Sequence, residues 1–415
     1  MAYTGFGLKN AQPPQENWRD WDNTELMFED YWWVQAIHKC YDKDFGVKYL
    51  SYLCSTENRL KIMHDIVDLN FDFGIPRIAK IPKDNGGVRE VYILEKDKRF
   101  IGNVLCQIYN WKYRNLISEN CDSYQKGKST SKTVKNLTCR GLSGVKVDIS
   151  KYFDNISRDI INKYLDKIDS NSPIDVAVRN FYNTDKVTVK GEEIAKYKGI
   201  CQGSPLSSFL ANIILRDIDD KVGSMCMEYK RYSDDILALG CDTDKVLKVL
   251  EEELKKLGLS LNPDKVEILS PDKEYTFLGY GIIGKDIVLS KKSFDKKKKQ
   301  IKSICKSKGA LKTKIREINK LFYVGKDEFT NWSYPKFKTL TNLNRLKELD
   351  EYCKDCLRWS VTGDWNYVKN KHKVPDKKLR ENGYTSLLHM YNVANTNKEI
   401  WSMTVDSVIK GIPVN

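Results

Sequence analysis

The chain has no run approaching the roughly 18 consecutive apolar residues that a membrane-spanning helix requires, so a membrane partner is not expected. Over Met1 to Gln15 it lacks the basic start and apolar core of a secretory leader, and a cytoplasmic location is expected. Its 11 cysteines are odd in number and without paired spacing, as for reduced thiols rather than a disulfide framework. The one close pair, Cys353-x-x-Cys356, lies in a helical pattern with Leu349, Tyr352 and Trp359. No second Cys or His pair stands at zinc-like spacing, which argues against a metal finger. Internal repeats and low-complexity linkers are missing too.

Acid is in short supply. The 415 residues include 70 basic and 56 acidic side chains, a net charge of +14, and such an excess suits a polyanionic partner. It is concentrated, because Lys285 to Lys320 holds 14 basic residues against only Asp286, Asp295 and Glu317. With 41% hydrophobic and 30% charged residues, a chain of this length buries a large core and has room for about two to four subdomains.

Aromatic residues crowd the first part, where Trp18, Trp21, Leu26, Phe28, Tyr31, Trp32, Val34 and Ile37 form a helix-like stretch that Asn23 or Thr24 can cap. Packing against the main body is its expected role. Arg77 to Lys83 and Val88 to Leu94 flank Asp84-Asn-Gly-Gly87, the composition of a β-hairpin, with Lys83 and Arg89 near its tip and able to grip a phosphate. A helix follows over Lys98 to Leu116. Tyr124-Gln-Lys-Gly-Lys-Ser-Thr130 contains the Gly-Lys-Ser of a phosphate loop, but the first glycine of that motif falls on Asp122. A basic, hydroxyl-rich turn touching a nucleic-acid backbone through Lys126, Lys128 and Ser129 suits these residues better.

Val145-Lys-Val-Asp148-Ile149 alternates like a strand, and Asp148 falls near its end, before Lys151-Tyr-Phe153-Asp-Asn-Ile156. A helix over Arg158 to Ile168 and a hairpin-like stretch over Lys186 to Gly191 come next. In Lys198-Gly-Ile-Cys-Gln202-Gly203-Ser-Pro-Leu-Ser-Ser208, two glycines bracket Gln202, a sign of close backbone approach. Pro205 suits the first turn of a helix from Leu206 to Val222. Glu228 to Tyr232 and Ile236 to Gly240 then meet at Ser233-Asp234-Asp235. Alone, the Asp pair reads as an ordinary hairpin turn. Beside an apolar run, however, adjacent carboxylates repel at a cost that a divalent cation between them removes.

Asp244 to Gly258 is an amphipathic helix, Leu259 to Leu269 a turn into a strand with Lys265 at its mouth, and Tyr275 to Gly281 the start of a short hairpin. The basic segment places Phe294, Ile301, Ile304, Leu311, Ile315, Ile318 and Phe322 on one stripe, divided into two helices at Gly309. Its lysines, among them Lys296, Lys297, Lys298 and Lys299, read either as a solvated face or as phosphate contacts along a groove. From about 323 onward the chain reads as helical with aromatic anchors. Strands and helices mix without a βα repeat, so the fold class is α+β.

Phosphoryl transfer to a nucleic-acid end uses two divalent ions about 3.5 to 4 Å apart, bridged by carboxylates. Asp148 with Asp234 and Asp235 can supply these oxygens, and hard oxygen ligands select Mg²⁺. In this order the segments resemble a prokaryotic reverse transcriptase, with a palm like those of group II introns and retrons, over about residues 76 to 320. Val145 to Ile156 resembles the first catalytic-aspartate motif, Gln202-Gly-Ser-Pro-Leu-Ser the nucleotide-positioning motif and Tyr232-Ser-Asp-Asp235 the signature box. Leu-Asn-Pro-Asp-Lys265 and Phe277-Leu278-Gly279-Tyr280 are similar to the two palm motifs that follow, the second being the primer grip.

The resemblance implies a right-hand polymerase with fingers at 76–147 and a palm of antiparallel sheet plus helices at 148–285, holding a fingers insertion at about 171–205. A basic helical thumb at 286–325 would follow, with accessory helical regions at 1–75 and 326–415. It implies RNA-templated DNA synthesis from dNTPs with two Mg²⁺ ions, Mn²⁺ being an acceptable substitute. Asp148 and Asp234 would hold the metals, with Asp235 a weaker ligand. Phe153 would lie under the incoming sugar and clash with a 2′-hydroxyl, Lys83 and Arg89 would hold the triphosphate, and Gln202 and Gly203 would position the nucleotide. Tyr232 would lie near the primer end, which Phe277, Leu278 and Gly279 would grip. Lys265 would protonate the leaving pyrophosphate.

An RNA-templated RNA polymerase shares these carboxylates but would place a second acid where Tyr152 and Phe153 stand. A non-catalytic, maturase-like RNA-binding scaffold is the rival of another class, against which the intact aspartate set argues. Among lineages, the resemblance favours a stand-alone bacterial enzyme that copies a structured non-coding RNA in anti-phage defence, and leaves retron-like and diversity-generating relatives open. Priming and oligomeric state are not legible.

Overall fold

A computed structural model describes residues 12–40, 45–82 and 86–413. Lys83, the Asp84-Asn85 part of the hairpin turn and most of Met1 to Gln15 therefore lie outside the described residues. By its contacts the chain divides into two units, Met1–Gly127 with Val145–Glu267 and Lys128–Gly144 with Ile268–Asn415.

The strands of the first unit and its borders are β1 (Arg77–Pro82), β2 (Val88–Ile93), β3 (Gly144–Asp148), β4 (Lys186–Val189), β5 (Glu192–Ala195), β6 (Glu228–Tyr232), β7 (Asp235–Leu239) and β8 (Glu267–Leu269). One sheet runs β2-β1-β4-β5 and another β6-β7-β3-β8. β1 and β2 pair antiparallel with Pro82 opposite Val88, and a parallel contact of Arg77 with Thr188 adds the β4–β5 hairpin to them. In the second sheet Ile236 to Leu239 are buried without alternation, as on a central strand covered on both faces. Helices bury their apolar stripes against these sheets, notably Lys96–Lys112 through Phe100, Ile101, Val104, Leu105 and Ile108.

The aromatic N-terminal segment belongs to this core. Helix Asp30–Cys40 buries Trp32, Trp33, Val34 and Ile37, and the Trp33 indole donates to Met27 O at 2.7 Å. The cap of the preceding helix Asn23–Met27 is Asp22, in a reciprocal capping box with Glu25, rather than Asn23 or Thr24. Those two are buried because they stitch the segment to the body. Asn23 Nδ2 donates to Ile168 O (2.9 Å) and Asp175 Oδ1 (2.8 Å), and Thr24 Oγ1 accepts from Ile174 N. The helix expected over Leu206 to Val222 is two helices, Pro205–Ile214 and Arg216–Gly223, broken at Leu215.

In the second unit β9 (Tyr275–Phe277), β10 (Tyr280–Ile283) and β11 (Asp286–Leu289) form an antiparallel sheet in the order β11-β10-β9. Helices Lys291–Lys306 and Leu311–Tyr323 follow, with Gly309 at φ +142° between them. Phe294, Ile301, Ile315, Ile318 and Phe322 are buried as the stripe requires, and Cys305 takes the inward place expected of Ile304. Among the described residues no helix is long and apolar enough to cross a membrane.

One basic residue is not where its sequence suggests. Lys297, a candidate phosphate contact, is only 7% exposed. It lies on the same helical stripe as Phe294 and Ile301, its Nζ donates to Leu321 O at 3.0 Å, and it rests over the Phe322 and Trp332 rings. Burial, then the neighbouring Lys296, pulls its ammonium down from 10.5 to about 8. Lys298 covers Phe294 and Tyr352 and lies 3.6 Å from Glu348, whereas Lys296 and Lys299 are exposed.

A lysine depressed in the folded state disfavours folding at full strength below pH 8, and the penalty fades as pH rises to the unfolded value near 10.5. Lys297→Met is expected to raise stability at pH 7, by no more than about 3 kcal/mol, and to flatten its rise between pH 8 and 10.5 in urea melts. RNA affinity should stay within about twofold; a large loss in filter binding would return Lys297 to the contact surface.

Candidate active site

The reactive geometry is built where β3 and the β6–β7 hairpin end together. Asp148 closes β3, and Ser233-Asp234 forms the turn that opens β7 at Asp235, with Tyr232 opposite Asp235. Ile149 N donates to Asp234 O at 3.1 Å and Asn262 N to Asp148 O at 2.8 Å, which fixes the two strand ends and the Lys265 loop in register. Ser233 takes φ +61°, a left-handed conformation that costs a non-glycine residue free energy and persists only where its surroundings hold it.

Two contacts hold it. Tyr124 Oη donates to Ser233 Oγ at 3.1 Å. From below, Arg231 donates through Nη1 to Ser233 O at 3.1 Å and through Nη2 to Asn212 O at 2.9 Å, while Nε and Nη2 grip Asp219 at 2.7 Å each. Both partners of this ion pair have side chains 0% exposed, and Tyr229 Oη donates to the same Asp219 carboxylate. Burial alone would lower the Arg231 guanidinium, but Asp219 holds it well above its ordinary value and therefore charged. Sequence reasoning missed this pair. Its signal was an arginine on the inward face of a strand, in step with the buried Tyr229.

The three acids act on one another. Burial, then Asp148, raises Asp234 above the usual carboxylate range. Asp235 is pushed up to about 6 by burial, then by Asp234 and Asp148. Lys265 answers this charge: its Nζ donates to Asp148 Oδ2 at 2.6 Å. Burial lowers that ammonium, yet the hydrogen bond and charge of Asp148, with Asp234 and Asp235, outweigh it and raise the group. Among the described residues no three acidic, imidazole or thiol groups stand as a ready metal cage. The donor set itself is all carboxylate, crowded enough to repel and only partly compensated by Lys265 and, at Asp235, Lys146, and it suits a hard divalent cation.

A cavity of about 310 Å³ is lined by Phe153, Gln202, Gly203 and Tyr124, so three residues expected at the nucleotide share one space with the tyrosine that touches the Ser233-Asp234 turn. Lys39, Arg99 and Asn103 line it too, which no sequence motif suggested. The two glycines are explained by backbone approach. At Gly199 (φ +51°) a Cβ would collide with the Phe153 carbonyl, and at Gly203 (φ +109°) it would stand 3.0 Å from Tyr92 O. Gln202 O in turn accepts from Tyr92 N at 2.7 Å, tying the motif to β2. Tyr152 is buried with its hydroxyl on Ala211 O, and Asp154 is exposed beyond Phe153.

Other expected contacts are dispersed. Arg89 is exposed on β2, near enough for its charge to act on the Tyr124 phenol. Lys126 is exposed in the first unit and donates to Gln35, whereas Lys128 and Ser129 belong to the second, where Ser129 caps helix Thr130–Lys135. Phe277 is 1% exposed and serves as core. Only the Leu278-Gly279 turn is outside, both residues at positive φ, with Gly279 O accepting from Lys336 Nζ at 2.7 Å.

Residues 81–282 match the family model described as reverse transcriptase (RNA-dependent DNA polymerase). That match takes in just under half of the chain. The chain is 24% identical over 283 residues to the COX1/OXI3 intron 1 protein of Saccharomyces cerevisiae, covering 54% of this chain and 34% of that protein. The chain thus spans about a third of that relative's length. The structure of telomerase from Candida albicans, solved with a fragment of telomeric RNA, aligns with a TM-score of 0.39 and 13% identity over 84% of this chain and 68% of that one. The reverse transcriptase match takes in Asp148, Asp234, Asp235, Phe153, Gln202 and Gly203, whereas Lys39 of the cavity wall and the helices after Ile282 lie beyond it.

The buried pair predicts a split outcome. Arg231→Met leaves the Asp219 carboxylate uncompensated and should cost about 3 to 5 kcal/mol of unfolding free energy, whereas adding Asp219→Leu should recover much of that loss. Equal losses in the single and double variants on urea titration would contradict the pair as drawn.

Proposed function

We propose that this protein is an RNA-templated DNA polymerase that joins dNTPs to a primer end by phosphoryl transfer supported by two Mg²⁺ ions. One observation carries the reading: Asp148, Asp234 and Asp235 converge on adjacent strand ends, and Tyr124 links that turn to the cavity of Phe153, Gln202 and Gly203. The reverse transcriptase match over the same residues supports it.

The carboxylates of Asp148 and Asp234 would hold the ions, with Asp235 beside them. Bound there, divalent ions supply charge stabilisation for the attacking and leaving oxygens. The chain's own residues do the rest. Phe153 presents an aromatic edge to the sugar and leaves no room for a 2′-hydroxyl, while Gln202 and Gly203 support the nucleotide from a backbone fixed to β2. Lys265, half exposed at the Asp148 carboxylate, neutralises the site and can turn toward a leaving phosphate. In family terms, β1–β2 with the β4–β5 hairpin would be fingers, the β6-β7-β3-β8 sheet palm, the Leu278-Gly279 turn primer grip, and the Lys291–Lys306 and Leu311–Tyr323 helices thumb. RNA is the proposed template, and Phe153, standing where the RNA-polymerase alternative would place an acid, favours dNTPs. The sequence resemblance supports a structured non-coding RNA template and a role in bacterial anti-phage defence.

Asp234→Ala with Asp235→Ala should abolish primer extension while RNA binding by filter assay stays largely intact; synthesis at the wild-type rate would sink the catalytic reading. Phe153→Val should raise rNTP incorporation by about tenfold or more, since the steric penalty on a 2′-hydroxyl corresponds to at least 1.4 kcal/mol. Unchanged sugar discrimination would remove its gate role. Sequencing the nucleic acids that copurify with the protein tests the template: one recurrent structured RNA with complementary DNA is expected, and unrelated cellular RNA would oppose it.

A further inference from the structure

A second cavity in the first unit, of about 380 Å³, lies outside the catalytic motifs and takes only Gln125 and Lys126 from the Tyr124–Thr130 turn. Helix Asp30–Cys40 lends it Tyr31 and Trp32, and helix Lys96–Lys112 lends it Trp111. Carboxamides are unusually frequent in its wall: Gln35, Gln107, Asn110 and Gln125. Arg114 and Lys126 complete the lining, which includes no carboxylate.

The wall holds buried hydrogen-bonding groups that the fold does not use. The Trp32 indole N–H and Asn110 Oδ1 are buried without a partner among the described residues, and Trp32 is 2% exposed. Burying such groups unpaired is unfavourable, and groups beside them do find partners. Trp33, one residue on, donates to Met27 O, and Asn110 Nδ2 finds Cys106 O at 2.7 Å. A donor and an acceptor are thus left over together beside aromatic rings. The Trp32 and Trp111 centroids lie 5.5 Å apart, and Arg19 stacks on Trp111 at 4.6 Å.

Aromatic faces, carboxamide edges and two cations, of which Arg114 has among the described residues only the exposed Glu16 at 3.8 Å to compete for it, are the chemistry of an unpaired nucleobase with its phosphate. The cavity's position gives the base a source. Gln125 and Lys126 follow directly on Tyr124, whose hydroxyl reaches Ser233 of the catalytic turn. We propose that this cavity binds an unpaired base of the RNA template strand outside the copied duplex, with Trp111 and Tyr31 as stacking surfaces, Trp32 and the carboxamides on the base edge, and Lys126 and Arg114 on phosphate. The proposal rests on the polymerase reading above for the identity of the strand.

The test compares two primer–template duplexes, one with a single-nucleotide RNA overhang and one with a ten-nucleotide overhang carrying 5-iodouridine. Ultraviolet cross-linking of the long overhang should map to peptides holding Tyr31–Trp32 or Trp111. Trp111→Leu should raise KM for the long-overhang template about tenfold, with kcat and the short-overhang KM within twofold. Trp32→Phe, which keeps a ring but removes the N–H, should have a smaller effect of the same kind. Gln107→Leu, at a half-buried position, serves should a tryptophan variant fail to fold. Extension of both templates with no overhang-dependent change in any folded variant would overturn the cavity assignment alone, as would cross-links elsewhere or a cavity that takes peptide instead. Failure of wild type to extend either template would instead strike the polymerase reading.

Discussion

A guanidinium buried beneath a tight turn is the constraint on which the site depends. Ser233 must adopt a left-handed backbone for Asp234 and Asp235 to leave the hairpin beside Asp148, and hydrogen bonds above and below the turn offset that strain. Arg231 suits the lower position because its planar fork serves three acceptors at once: Asp219, Asn212 O and Ser233 O. A lysine offers neither the plane nor the reach. Asn212 extends the network, since its side chain exchanges hydrogen bonds with Ser123, the residue before Tyr124. The same buried network therefore braces the Ser233-Asp234 turn and the root of the Tyr124 segment.

Charge is distributed accordingly. Below the turn, the Asp219–Arg231 pair is closed to solvent and balanced. Above it, burial and then the mutual repulsion of three carboxylates lift Asp234 and Asp235, against which Lys265 and, for Asp235, Lys146 only partly act. A site meant only to be stable would be closed like the first. One left short of positive charge has a standing affinity for cations, and a movable lysine can yield its place on Asp148 without unfolding anything around it.

Much of this was legible in the sequence because strand alternation and glycine carry local information. Asp148 at the end of Val145-Lys-Val, the Asp-Asp turn between apolar runs, and the glycines around Gln202 all reflect backbone requirements that a short window contains. The unread features depend on partners far apart in the chain. Asp219 and Arg231 lie on a helix and a strand whose facing cannot be told from either alone, and the Trp32–Trp111 cavity joins residues nearly 80 positions apart. Asn23 and Thr24 misled for a related reason. They are good caps by composition, but tertiary hydrogen bonds to Ile168, Asp175 and Ile174 claimed them, and Asp22 was left to cap.

The basic segment shows why net charge locates a surface less well than it announces one. Fourteen cations in Lys285 to Lys320 invite a uniform phosphate-binding face, yet helical periodicity must turn some inward once the apolar stripe is broad. Lys297 falls between Phe294 and Ile301 on that stripe, and Lys314 next to Ile315; both are 7% exposed. A buried ammonium cannot reach a phosphate oxygen, while the exposed Lys296 and Lys299 can. The surface available to a polyanion is therefore set by the phase of the helix, and is narrower than the run of lysines that advertises it.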